Sequence, residues 1–237
     1  MTEANGQESG QAARETFDPT TTEAFVETTV TRLTLVRHGE VEEQRRRVVR
    51  GQLDLSTSPN GKRQGQRVAR WLGQHEPRPD RIFTSDLVRC RELADLCGEA
   101  WGLEPTPNAA LREQSMGAWE GLTWSEVQAR HGSAINDYWD DYFGTSAPEG
   151  ESMATLDRRV GAFLDEILER HAGERLVLVT HIGPIRCLLC RLFHVGLDEA
   201  LRFAPAAASV TQVLHSAPGA VLETFGERPW RFADGTA

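Results

Sequence analysis

From residue 31 onward two periodicities of apolar positions alternate along the chain. TRLTLV (31–36) and RIFTS (81–85) are short strand-like runs. LVLVT (176–180) is apolar at almost every position, as in a strand covered on both faces of a parallel sheet. Between these runs the period lengthens to that of a helix. Ser58 is placed to cap, and Pro59 to begin, a helix reaching His75. A second helix is read over 86–101, and Thr123 with Glu126 forms a capping box that opens a third. Over 152–170, Leu156, Val160, Phe163, Leu164, Ile167 and Leu168 fall on one helical face. Gly183-Pro184 starts one more helix, and 209–214 and 220–225 read as closing strands. This alternation predicts an α/β three-layer sandwich with a mainly parallel central sheet and helices on both faces.

Charge divides the chain unevenly. The 237 residues carry a formal net charge of −9. Within 1–30, six acids stand against Arg14 alone, so this segment holds −5 and reads as an acidic, flexible tail with too little apolar content to pack. Residues 31–237 fit one domain. A mildly acidic body offers no field for a polyanion, which argues against a nucleic-acid binder. No apolar run is long enough to cross a bilayer, and the start lacks the basic and apolar regions of a secretory signal, so the expected address is cytoplasmic. Cys90, Cys97, Cys187 and Cys190 read as buried thiols of a reducing compartment, since Cys187 and Cys190 lie within an apolar helix and no further ligands flank them.

In parallel α/β sheets ligands gather beyond the carboxyl ends of the strands. The first strand runs into Arg37-His38-Gly39-Glu40, the second ends at Thr84-Ser85-Asp86 with Arg89 one turn into the next helix, and the apolar strand ends at Thr180-His181. Two histidines and two arginines therefore converge on one rim, beside helix N-termini that suit an anion. A phosphate dianion fits this inventory best, because guanidinium forks match its oxygens.

The chain resembles the histidine phosphatase superfamily, which includes the cofactor-dependent phosphoglycerate mutases. The resemblance rests on LVRHGE (35–40), the Asp54…Gly61…Gln64 segment, TSDLVRCRELA (84–94), LREQSMGAWEGLTWSEV (111–127), PEGES (148–152) and LVTHIGPIRCLL (178–189), in that order. It implies a phosphoglycerate mutase-like fold and a phosphomonoesterase needing neither metal nor cofactor. His38 would attack phosphorus, with its other ring nitrogen donating to a backbone carbonyl, and Gly39 would permit a close backbone approach. Arg37, Arg89 and His181 would hold the phosphoryl oxygens. Glu113 would be the general acid and then the base, with Glu120 of GAWEG as the alternative.

The resemblance leaves the substrate open. Residues 119–152 form the expected lid. Its stretch 132–151 contains no Lys or Arg but has Asp137, Asp140, Asp141, Glu149 and Glu151, which would repel a second anion and disfavour the mutase branch. Trp119, Trp124, Tyr138, Trp139, Tyr142 and Phe143 either pack this lid or present a stacking face to a flat leaving group, as the similarity to α-ribazole phosphatases would imply. Two positions depart from the family pattern: Gln44 replaces an Asn, and Ile182 replaces a Gly after His181. Arg45-Arg46-Arg47 with Arg50 and Gly51 is either a solvated loop or a substrate contact. The last would favour a mutase or a polyanionic substrate. A pseudo-phosphatase binding module is a further reading, although all five core residues are present. The partner implied throughout is a small phosphorylated substrate.

Overall fold

Strand β1 (Thr31–Arg37) has neighbours of opposite sense. It pairs in parallel with β4 (Arg175–Thr180), setting Arg37 beside Thr180, and antiparallel with β5 (Val210–Ser216), setting Leu35 beside Thr211. On the far side of β4 lies β2 (Arg81–Thr84), followed by the short β3 (Thr106–Pro107), both parallel. Strand β6 (Gly219–Glu227) returns antiparallel along β5, giving the order β3-β2-β4-β1-β5-β6. The first four strands are thus parallel, as expected. Strand β5 runs against them, and the short turn after it makes a hairpin that returns β6 in the sense of β1. This is a computed structural model, and it describes residues 29–42 and 47–231. The tail over 1–28, Gln44 and the Arg45-Arg46 pair lie outside the described residues.

Alternation along β4 sorts the two cores. Leu176 and Leu178 face α4 (Met153–Arg170) and α5 (Ile182–Leu192), whereas Val177 and Val179 face α1 (Pro59–His75) and α2 (Val88–Trp101). The sheet is therefore covered on both faces. A third cluster lies under α3 (Trp124–Asp140), where Trp119, Val127, Ile135 and Tyr138 pack with Val49 and Met116. The four cysteines are free and buried within the two main cores.

Most helix starts match their local signals. Ser58 accepts from Gly61 N–H at 3.0 Å with Pro59 beside it, Ser152 accepts from Thr155 N–H at 3.2 Å, and the Thr123–Glu126 capping box is complete. Helix α2 differs. Its N-cap, Leu87, has no capping side chain; Asp54 reaches across to accept from Val88 N–H at 2.6 Å. No helix among the described residues is long and apolar enough to cross a membrane.

Candidate active site

The parallel register of β1 and β4 sets His38 next to His181. Arg37 and Thr180 are paired, so the residues that follow them leave the sheet side by side, and the imidazole centroids lie 5.0 Å apart, edge to face. Thr84 of β2 pairs with Val179, which brings Ser85 and Arg89 to the same rim.

His38 is held from three directions. Its N–H donates to Thr180 O at 3.1 Å, its carbonyl accepts from Ala208 N–H at 3.0 Å, and its Nδ1–H donates to Gly39 O at 2.7 Å. The last bond fixes the tautomer and leaves the lone pair on Nε2. Burial first, then the charges of Arg89 and Arg37, press the pKa well below the ordinary histidine value, so the ring is neutral at pH 7. The close approach that Gly39 permits is to α1: a Cβ there would lie 2.6 Å from the Gly61 carbonyl oxygen, and one on Gly61 would run into the Glu40 carbonyl. Gln64 Oε1 completes the clamp by accepting from Glu40 N–H at 3.0 Å.

His181 is fully buried, behind His38, with both ring nitrogens engaged. Arg89 Nε–H donates to its Nδ1 at 3.2 Å, which puts the remaining proton on Nε2, 2.9 Å from Ser85 Oγ. The expected direct grip of His181 on phosphoryl oxygens is therefore not what this geometry offers; the imidazole sits off the cavity wall. Arg89 also donates one N–H from Nη1 to Leu53 O (2.6 Å) and one from Nη2 to Gly51 O (2.8 Å). Gly51 has φ +46°, and Glu120 Oε1 occupies the space a Cβ would need, so the turn that presents this carbonyl requires glycine. Arg37 donates through Nη1 to Pro205 O at 2.7 Å, while its buried Nε has no hydrogen-bond partner among the described residues.

These groups open onto a cavity of about 490 Å³ whose wall includes Arg37, His38, Arg50, Gly51, Arg89, Glu113 and Ile182. The Glu113 carboxylate is aimed by two backbone donors, Gln114 N–H at 2.9 Å and Gly183 N–H at 3.1 Å. That second donor is the N-terminus of α5, expected to serve an anionic ligand and committed here to Glu113. Gln52 Nε2 and Arg159 Nη2 both donate to the Glu113 carbonyl, at 3.0 and 2.9 Å. Glu120 is not on the cavity wall. Its Oε1 accepts from Gln52 and Met116 N–H, tying two loops together, which separates it from the acid position.

The acidic lid corrects an expectation. None of Asp137, Asp140, Asp141, Glu149 and Glu151 lines the cavity: Glu151 pairs with Arg159, and Asp141 accepts from Gly144 N–H. Instead Arg47, Arg50 and Arg186 are on the wall. The aromatic residues divide. Trp119 is fully buried and Phe143 packs against the α4–α5 core, while Trp124 (41% exposed), Trp139 (55% exposed) and Tyr142 line the cavity, the last two stacked at 7° between ring planes. Sequence reading gave no role to Ser85, Gln52, Arg159 or Arg186. Of these only Ser85, at a strand end, stood where such a signal could be sought. Among the described residues no group of three or more His, Cys, Asp or Glu is arranged to hold a metal ion.

Comparison with known proteins identifies the family. The profile of the histidine phosphatase superfamily (branch 1) matches residues 33–228. Phosphoserine phosphatase 1 of Hydrogenobacter thermophilus is 31% identical over 184 residues, 78% of this chain and 86% of that one. The "Probable phosphoglycerate mutase GpmB" of Yersinia enterocolitica is 35% identical over 203 residues, 81% of this chain and 91% of that one. Among solved structures, native mycobacterial glucosyl-3-phosphoglycerate phosphatase aligns with a TM-score of 0.74 at 26% identity, covering 83% of this chain and 99% of that one. The chain belongs to branch 1 of the histidine phosphatase superfamily.

Proposed function

We propose that the protein hydrolyses a small phosphomonoester through a phosphohistidine at His38. The observation that carries this reading is the neutral, tautomer-fixed His38 on a cavity wall shared with five arginines and the Glu113 carboxyl. In the first step the His38 Nε2 lone pair forms the N–P bond as the P–O bond to the alcohol breaks, and protonated Glu113 gives its proton to the departing oxygen. Arg37 and Arg89, both on the cavity wall, stabilise the charge that builds on the transferring group. His181 acts through Arg89 and against the His38 ring as a positioning residue. In the second step water attacks phosphorus, Glu113 takes its proton, the N–P bond breaks and inorganic phosphate leaves.

The test is phosphate release from a panel of phosphomonoesters, with His38→Ala as the blank. Release that survives in the variant at the wild-type rate refutes the mechanism. A second reading, phosphoryl transfer between positions of one substrate, is favoured by the arginine-rich wall and by the mutase name of the Yersinia relative. Interconversion of 3- and 2-phosphoglycerate outpacing phosphate release would select it.

A further inference from the structure

The segment that carries Glu113 has no ladder of its own. Residues 113–116 belong to neither helix nor strand and lie between two single turns of 3-10 helix, Ala109–Leu111 and Gly117–Trp119. Leu111 is fixed from below, fully buried, with Thr180 Oγ1–H donating to its carbonyl at 2.7 Å. Beyond Leu111 the path of the chain depends on side chains from elsewhere in the fold. We propose that Arg159 of α4 is the positioning residue of Glu113: it spans the acid segment and sets where the carboxyl meets the leaving oxygen. This rests on the acid role of Glu113 and goes beyond it in naming the residue through which that role is kept.

One guanidinium does the spanning. Arg159 Nη1–H donates to Ala110 O at 2.7 Å and Nη2–H to Glu113 O at 2.9 Å, so a single rigid plane joins carbonyls three residues apart. Its Nε–H donates to Glu151 Oε2 at 3.1 Å, and the same carboxylate pairs with Nη2 and accepts from Ser115 N–H at 2.9 Å. Glu151 N–H donates to Ser115 O, and Gln114 Nε2–H to Glu151 O, both at 2.9 Å. One ion pair thus brackets the acid segment from Ala110 to Ser115. Its anchor is rigid, because Leu156, Val160 and Phe163 bury α4 in the core on either side of Arg159. The two side chains are 24% and 12% exposed, where charge-assisted bonds are screened less than at the surface. Gln52 gives the same Glu113 carbonyl a neutral bond at 3.0 Å, from a turn rather than a helix. Of the two donors to the carboxylate, Gln114 N–H belongs to the segment itself and moves with it.

The experiment compares phosphate release by the full-length protein from phenyl phosphate, whose leaving group needs a proton, and p-nitrophenyl phosphate, whose leaving group does not. The quantity read is kcat/KM, which covers the steps through departure of the phenol. In Arg159→Gln it is expected to fall roughly ten- to hundredfold on phenyl phosphate, the reach of a misplaced catalytic group, and less than about threefold on p-nitrophenyl phosphate. A purely structural role slows both esters alike, so equal slowing overturns the proposal, as does wild-type behaviour on both. If Arg159→Gln does not fold, Glu151→Gln decides: it keeps an oxygen for Ser115 N–H and removes the counter-charge of Arg159. The same selective loss is expected there, and equal slowing or none overturns the proposal. Glu113→Gln tells which statement has failed. Where it is selective and Arg159→Gln is not, the acid stands and the positioning role falls; where it slows both esters alike, the acid reading has failed and the proposal with it. When both hold, Arg159→Gln added to Glu113→Gln deepens the selectivity by less than about threefold, because the two changes act on one proton transfer. No release from either ester by the wild type is a failure of hydrolysis itself and overturns both.

Discussion

Replacing Ser85 with alanine removes the acceptor that His181 Nε2–H finds at 2.9 Å, inside a site where His181 has no solvent exposure. A buried donor left unpaired costs about 1–3 kcal/mol. Two local facts refine that range. Cys90 Sγ lies 3.3 Å from the same nitrogen and offers a weak substitute acceptor, which favours the lower end. Leu87 N–H also donates to Ser85 Oγ, at 3.3 Å, and loses its partner too, which pushes the cost back up. About 2 kcal/mol is the resulting expectation, a fall in Tm of roughly 4–8 °C for a chain of this length. Activity should suffer separately, because His181 also accepts from Arg89 Nε–H at 3.2 Å and steadies that guanidinium. Loosening a preorganised donor of this kind costs roughly 10²–10³ in kcat. Calorimetry with steady-state phosphate release on Ser85→Ala reads both effects. A variant that melts and turns over like the wild type would show that the hydroxyl does not hold His181, and the positioning role assigned to it would be refuted.

Two further outcomes follow from the same geometry. His38 and His181 are both buried with pKa values pressed well below the unfolded value of about 6.5, so the unfolded chain binds protons that the folded one refuses. Their stabilisation is whole above that pH and is lost as pH falls below it, by about 1.4 kcal/mol per unit for each ring; Tm measured from pH 7 to pH 5 should drop less steeply in His38→Gln than in the wild type. Glu113→Gln keeps the oxygen that accepts from Gln114 and Gly183 but has no proton to give, so it should slow esters of poor leaving groups by roughly 10²–10⁴ and p-nitrophenyl phosphate far less. Equal slowing of both would move the acid role elsewhere.

What could be read before the structure was whatever short-range chemistry encodes. The buried run at 176–180, the capping box at Thr123 and the Pro59 helix start each carry their physics within a few residues, and each stands as read. Strand ends gave the rim, because consecutive parallel strands deliver their next residues to one edge. Long-range contacts were hidden. Nothing near Leu87 announces that Asp54 caps α2, and nothing near Ser85 announces His181. The lid misled for a similar reason: counting its acids gives their number but not their direction, and Glu151 turns to Arg159. Arg186 was invisible because an arginine in an apolar helix looks the same in sequence whether it faces solvent or a cavity.

The contact between Gly39 and Gly61 bears on the order of assembly. The nucleophile loop touches α1 backbone to backbone, with no side chain between them to give way. Sheet pairing sets His38 beside His181, but the Gly39–Glu40 turn that follows takes its final shape only against α1. In refolding, strand signals should recover ahead of catalysis, and a chain with its sheet complete but α1 still undocked would already look native to far-ultraviolet light while remaining inert.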